Sequence, residues 1–295
     1  MSAGEANSMA LLLAVSSTLC FGGAMVTSRI GLRSIDARSG AAISIPSATL
    51  LLAAAAPFAF PFHQFNWHAA LVFAVIGLFF PAMVTLLTFR SNEELGPTVT
   101  SAVSGTAPLF ALLAAALFLG ERVPPQAAAA TLGVVAGVAL LSWNPSTVRS
   151  GFAGRSFAWP VAGAMVRGFA QVAIKAGLLL WPSAFAASLI GYLVSSATVI
   201  SANRLGQGER RKPTKNSVAW FAVTGVLNGG AVLLMYAALS LAPVSLVAPV
   251  IATYPLITAI ASYVLLREER LTIRVLAGAG LIVAAIAYLI VSNAP

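Results

Sequence analysis

Charge is what this sequence has least of. Only 8% of its 295 residues are Asp, Glu, Lys or Arg, about a third of the share in a soluble domain, so most of its surface does not face water. Acids are scarcer still. There are eight, Glu5, Asp36, Glu93, Glu94, Glu121, Glu209, Glu268 and Glu269, and each lies between apolar runs or at the end of one. A carboxylate inside an apolar run is the usual means of holding a cation or proton within a membrane, and here there is none. The single cysteine, Cys20, excludes an intrachain disulfide. The two histidines, His63 and His68, flank Trp67 at the border of a run and read as an interfacial loop rather than a metal site. Gly-x-Ser-x-Gly, His-Glu-x-x-His and phosphate-loop motifs are all missing, which removes the common hydrolase and nucleotide-binding readings.

What the chain does have is apolar length. Residues of the hydrophobic types make up 59% of it. They fall into ten runs close to the roughly 20 residues of helix that cross a bilayer. These are Met9 to Arg29, Gly40 to Phe60, Trp67 to Phe89, Gly96 to Phe118, Pro125 to Trp143, Phe157 to Leu180, Ser183 to Ala202, Ser217 to Leu241, Val244 to Leu266 and Leu271 to Val291. Helices are the reading, because lipid offers no partner to an open strand edge and the runs are too continuous for barrel strands. No basic segment or small-residue cleavage site precedes Met9, so the first run reads as a retained span. The net charge of +9 comes from basic residues between the runs, which points to membrane topology and not to nucleic acid. Prolines within the runs (Pro46, Pro81, Pro108, Pro249, Pro255) are expected to kink helices.

The chain repeats itself. Shifted by 147 positions, Leu95 to Leu141 lands on Ala242 to Tyr288, with Thr106 on Thr253, Pro108 on Pro255, Leu109 on Leu256, Leu119 on Leu266, Glu121 on Glu268 and Gly133 on Gly280. At a shift of 146, Gly22, Ala24, Arg29 and Gly31 fall on Gly168, Ala170, Lys175 and Gly177. The unit is therefore five runs long. An odd number of spans makes the second copy enter from the opposite face, as in inverted-repeat carriers that hold substrate between their halves. The expected fold is an all-α membrane protein of ten transmembrane helices in two inverted five-helix repeats. Residues 1–143 form the first, 157–295 the second, and 144–156 the connecting loop.

This pattern resembles the EamA-type domain of the drug/metabolite transporter superfamily, over nearly the whole chain. The resemblance implies a ten-helix carrier with a basic residue near the Arg29 and Lys175 positions. It also implies an aromatic residue before the small residue of the first span, as in Phe21-Gly22; the second copy departs from this with Arg167-Gly168.

Arg167 lies near the middle of the sixth run, and Gln171 and Lys175 follow at four-residue steps. All three lie within a sector of about 80° and can face one cavity. A mid-span arginine costs about 2.5–3.5 kcal/mol on insertion scales and generally faces a protein interior or an aqueous path. Three roles stay open for it: substrate contact, pairing with helix carbonyls, and snorkelling. Lys175, nearer the span end, is open to snorkelling or ligand contact. Further candidates are Asn228, which with Gly229 and Gly230 should interrupt the eighth run, and the hydroxyls of Tyr236, Tyr254, Thr106 and Thr253; each is open to a packing role as well. Gly133 and Gly137, with their counterparts Gly280 and Ala284, read as helix packing. Glu121 and Glu268 read as charges at the N-termini of the fifth and tenth helices.

The expected function is a secondary transporter of a small polar metabolite bearing a carboxylate or phosphate, such as an amino acid or organic acid. Its partners are the bilayer, the substrate and a coupling proton or counter-substrate, with no cofactor and no enzyme activity. Export of lipophilic or cationic drugs, and a membrane enzyme or lipid-handling protein, are the alternatives. The loops after odd-numbered runs hold twelve Lys and Arg residues against Arg122 alone on the other face. This places the chain in the plasma (inner) membrane with odd loops cytoplasmic and both termini outside, opposite to the usual family orientation. A reporter fused after Pro295 is therefore expected outside, and one inserted after Gly206 in the cytoplasm. The reverse pattern in an alkaline phosphatase and fluorescent-protein fusion assay would overturn the charge-based orientation.

Overall fold

The computed structural model describes residues 3–142, 154–205, 213–266 and 273–292, which are helical with short turns and contain no strand. The first half comprises α1 (Ala3–Leu32), α2 (Ala37–Ala59), α3 (Trp67–Gly77), α4 (Ala82–Leu95), α5 (Pro97–Ser104), α6 (Ala107–Phe118) and α7 (Pro125–Ser142). The second comprises α8 (Gly154–Leu180), α9 (Ala184–Leu205), α10 (Lys215–Leu241), α11 (Val244–Ile251), α12 (Tyr254–Ala261) and α13 (Ile273–Ser292). Among the described residues, nine stretches are long and apolar enough to cross a membrane. In the run expected as a fifth span, Pro125 to Trp143, the described residues hold a shorter apolar helix, Pro125–Leu140.

Local chemistry sets the helix ends. Asp36 caps α2, accepting from the Ser39 amide at 2.9 Å and its hydroxyl at 2.8 Å. Asn66 caps α3 through the Ala69 amide at 3.1 Å. Gly96, at φ 81°, turns the chain from α4 into α5, where a side chain would be strained. Three spans are broken, and each break sits by a proline: α3/α4 before Pro81, α5/α6 before Pro108, α11/α12 before Pro255. Pro46, Pro57 and Pro160, by contrast, lie inside unbroken helices. The α5/α6 and α11/α12 breaks fall at repeat-equivalent positions. In both, a threonine hydroxyl bonds the carbonyl three residues back at 2.7 Å, Thr106 to Val103 and Thr253 to Val250.

The expected interruption at Asn228 is absent, since α10 runs unbroken for 27 residues. Two of its glycines serve contact instead, while Gly230 faces open space: a Cβ on Gly225 would collide with the Ser44 carbonyl, and one on Gly229 would lie 2.9 Å from Ala48 Cβ. They let α10 lie close on α2.

The halves are interleaved. Helix α1 packs on α10, α11 and α12, and α8 packs in the equivalent way on α3, α4, α5 and α6. Helix α2 lies against α9 and α10, and α7 against α13. Thr49 Oγ1 meets Ser196 Oγ at 2.6 Å, and their separation of 147 residues equals the repeat offset. Each residue thus touches its own counterpart. Matched glycines make the matched approaches: a Cβ on Gly22 would stand 2.6 Å from Ile257, and one on Gly168 2.6 Å from Phe110.

The small-residue stripe of the last span packs differently from its copy. Gly133 and Gly137 press on Ala285, Ile282 and Gly278, while Gly280 faces open space. Gly137→Leu is therefore expected to destabilise the protein by about 1–3 kcal/mol through overpacking. Gly280→Ala should be neutral or stabilise it by up to about 1 kcal/mol. Thermal unfolding in detergent separates the two.

Candidate functional site

Arg167 sits in the middle of α8 and is 7% exposed. Three rings surround its guanidinium: Phe21 of α1 with its centroid 5.0 Å from Cζ, and Phe80 and Tyr254 at 5.8 Å each. Such contacts stabilise a desolvated cation by about 2 kcal/mol each at best, enough to offset much of the burial cost. They supply no acceptor, however. Nε and Nη1 are buried without a hydrogen-bond partner, and no acidic side chain pairs with the guanidinium among the described residues. Pairing with helix carbonyls and snorkelling to a surface are thus not what this side chain does here.

The surroundings are rich in unfilled polar positions. Gln171, one turn along α8, places Nε2 3.7 Å from Met235 Sδ and leaves Oε1 without a partner. The Tyr192 hydroxyl is also buried and unpaired, that of Tyr254 has only the Ser104 side chain beside it, and both lie within electrostatic reach of Arg167. A small cavity of about 20 Å³, room for roughly one water, touches Arg167. Its walls include Phe21, Met25, Ser28, Asn228 and Tyr254. The unfilled groups on Arg167 are donors, the tyrosine hydroxyls can donate or accept, and Gln171 Oε1 is an acceptor, so it is the fixed charge of Arg167 that suits the position to an anion.

The structure thus brings Arg167, Tyr254 and Asn228 to one cavity, with Gln171 beside it. Tyr236 stands one layer back, its ring centroid 6.4 Å from that of Phe80. Thr106 and Thr253 spend their hydroxyls on the helix breaks. Lys175 points elsewhere: Nζ donates to the carbonyls of Leu239 at 2.7 Å and Ala242 at 3.0 Å, closing the C-terminal end of α10. Arg29 does the same in the first half, donating to the carbonyls of Asn92 at 2.9 Å and Glu93 at 3.3 Å.

Glu121 is a helix cap, though not of the helix that follows it. Its carboxylate accepts from the amides of Val244 at 3.2 Å and Ser245 at 3.4 Å, and so caps α11 in the other half. A void of about 190 Å³ lies beside it, lined by Asn7, Arg122 and Ser245 among others. Glu268 lies outside the described residues. Glu93 and Glu94 pair with the exposed Arg90, Glu94 at 2.7 Å and Glu93 at 3.4 Å, and are surface groups.

Two residues of the site escaped sequence reasoning. Tyr192 carried a signal, a tyrosine in mid-span whose polar tip needs a partner. Phe80 carried none, being one apolar residue in an apolar run.

The model of the EamA-like transporter family matches residues 8–143 and again residues 155–291. No curated protein matches. A solved structure described only as "Crystal structure of protein" superposes with a TM-score of 0.76 at 17% identity, covering 97% of this chain and 97% of its own. At that identity the likeness speaks for the fold alone. Two family matches span nearly the whole of a chain built from apolar, membrane-length helices: it is a multi-pass membrane protein belonging to the EamA-like transporter family.

Proposed function

We propose that the chain is a secondary carrier of a small metabolite bearing a carboxylate or phosphate. The substrate is held at Arg167 between two inverted five-helix repeats, residues 1–143 and 157–295, joined by 144–156. The observation that carries this reading is a guanidinium buried at mid-span, ringed by aromatics, with two N–H groups lacking any protein acceptor.

Position supports it. Arg167 and Phe21 are repeat counterparts at an offset of 146, and they face each other at 5.0 Å. A point where a residue meets its counterpart lies on the boundary between the halves, where an alternating-access carrier holds its substrate. Chemistry supports it too. A carboxylate or phosphate accepts two N–H bonds from the planar guanidinium, and Gln171, Tyr192 and Tyr254 stand by to read the rest of the molecule. A lipophilic cation would meet a fixed positive charge and no carboxylate. Rocking of the halves, in the plasma membrane with odd loops cytoplasmic, completes the proposal.

The test is ligand-induced thermal stabilisation of the purified protein by inorganic phosphate, L-glutamate, L-leucine and tetraphenylphosphonium. At least one of the first three is expected to stabilise the wild type, and tetraphenylphosphonium is not. Arg167→Gln should fold and bind the same anion about ten- to a hundredfold more weakly, the worth of a charged hydrogen bond. Arg167→Lys should lie between them, because it keeps the charge but not the planar fork. Unchanged affinity in a folded Arg167→Gln protein would overturn the site.

A further inference from the structure

Arg167 carries a charge that the chain has no means of removing. A guanidinium keeps its proton in proteins, so burial cannot neutralise it as it can a lysine. The titratable groups that face it are Tyr254 on α12 and Tyr192 on α9, with Tyr236 on α10 one layer back behind Phe80. Lys175, two turns along α8, is itself cationic and tied to carbonyls. None of these offers a negative charge near neutral pH. The described carboxylates, Glu5, Asp36, Glu93, Glu94 and Glu121, stand at helix ends or in turns. The aromatic rings solvate the charge without accepting its N–H bonds.

Resting on the anion-binding reading above, we infer that this carrier is an obligate anion exchanger. With an anion bound, the guanidinium is neutralised and its N–H groups are filled, so the site can be enclosed and carried across. Without one, enclosure buries a fixed cation with unmade hydrogen bonds, which raises the barrier to reorientation. The unloaded return is slow. Each turnover then moves one anion in and a second anion out. A proton gradient does not drive the cycle, because the described interior holds no carboxylate or histidine for a proton to act on.

The inference makes Arg167→Lys more than a weak binder. A lysine desolvated at the same place can shed its proton, and the neutral amine opens the unloaded return that the arginine forbids. The substitution should turn an exchanger into a carrier capable of net, pH-dependent uptake.

The experiment uses the full-length protein in liposomes, with L-[14C]glutamate and [33P]phosphate as probes. Vesicles are loaded either with the same unlabelled anion or with sucrose. Wild-type uptake into anion-loaded vesicles is expected to exceed uptake into sucrose-loaded ones by about tenfold or more, a barrier difference of one decade at least. An imposed pH gradient should leave it unchanged. For Arg167→Lys the ratio should fall towards one, with net uptake rising as pH is raised. Equal wild-type uptake into both kinds of vesicle, or uptake driven by the pH gradient, overturns obligate exchange while the binding site stands. Failure of every anion to stabilise the wild type removes the site itself, and exchange with it.

Discussion

Every backbone amide and carbonyl that leaves a helix inside a bilayer must find a partner in the protein, because lipid supplies none. The residues shared by the two repeats answer that demand. Arg29 and Lys175 bind the carbonyls at the ends of α4 and α10. Thr106 and Thr253 take a carbonyl each where α5 and α11 stop short of their continuations. Glu121 supplies acceptors to the first amides of α11. These helix ends and breaks persist at membrane depth because a side chain stands at each of them. These bonds also explain why a cation and a threonine recur at fixed spacing.

Arg167 follows the opposite logic. The other membrane-depth cation of its helix, Lys175, binds carbonyls, whereas two N–H groups of Arg167 are enclosed by rings. A position that leaves strong donors unmade in a dry interior is not optimised for stability. Such departures mark the places where a fold has been given over to function.

Much of the fold was legible in the sequence because membrane solvation leaves a coarse record. Apolar runs of helical length, prolines at the breaks and a basic bias between runs are all visible in composition and spacing. The repeat was visible as well, since Thr, Pro, Glu and Gly recur at one offset. The site was legible only in its charged part. Arg167 announced itself by its cost, but Phe80 reaches it from the α3/α4 break and Tyr192 from α9, and no local pattern says which apolar residue will stand 6 Å from a given cation. The same limit applied to Lys175 and to Asn228. Helical phase put Lys175 on the same side as Arg167, yet carbonyls at the end of α10 claimed it. The glycines after Asn228 suggested a break, yet α10 runs on through them, and Gly229 with Gly225 forms the surface on which α2 and α10 meet.

The facing of Arg167 and Phe21 also bears on how such a site can arise. Two identical subunits related by a two-fold axis must present the same residue from both sides at any point where counterparts meet. An arginine there would confront a second arginine across roughly 5 Å, and the like charges would repel in a medium that screens them poorly. The matched pair Thr49 and Ser196 could live under that rule, since hydroxyls pair with hydroxyls. A cation backed by an aromatic ring could not. Once both copies share one chain they are free to diverge, and a lone positive charge at the centre becomes available only then.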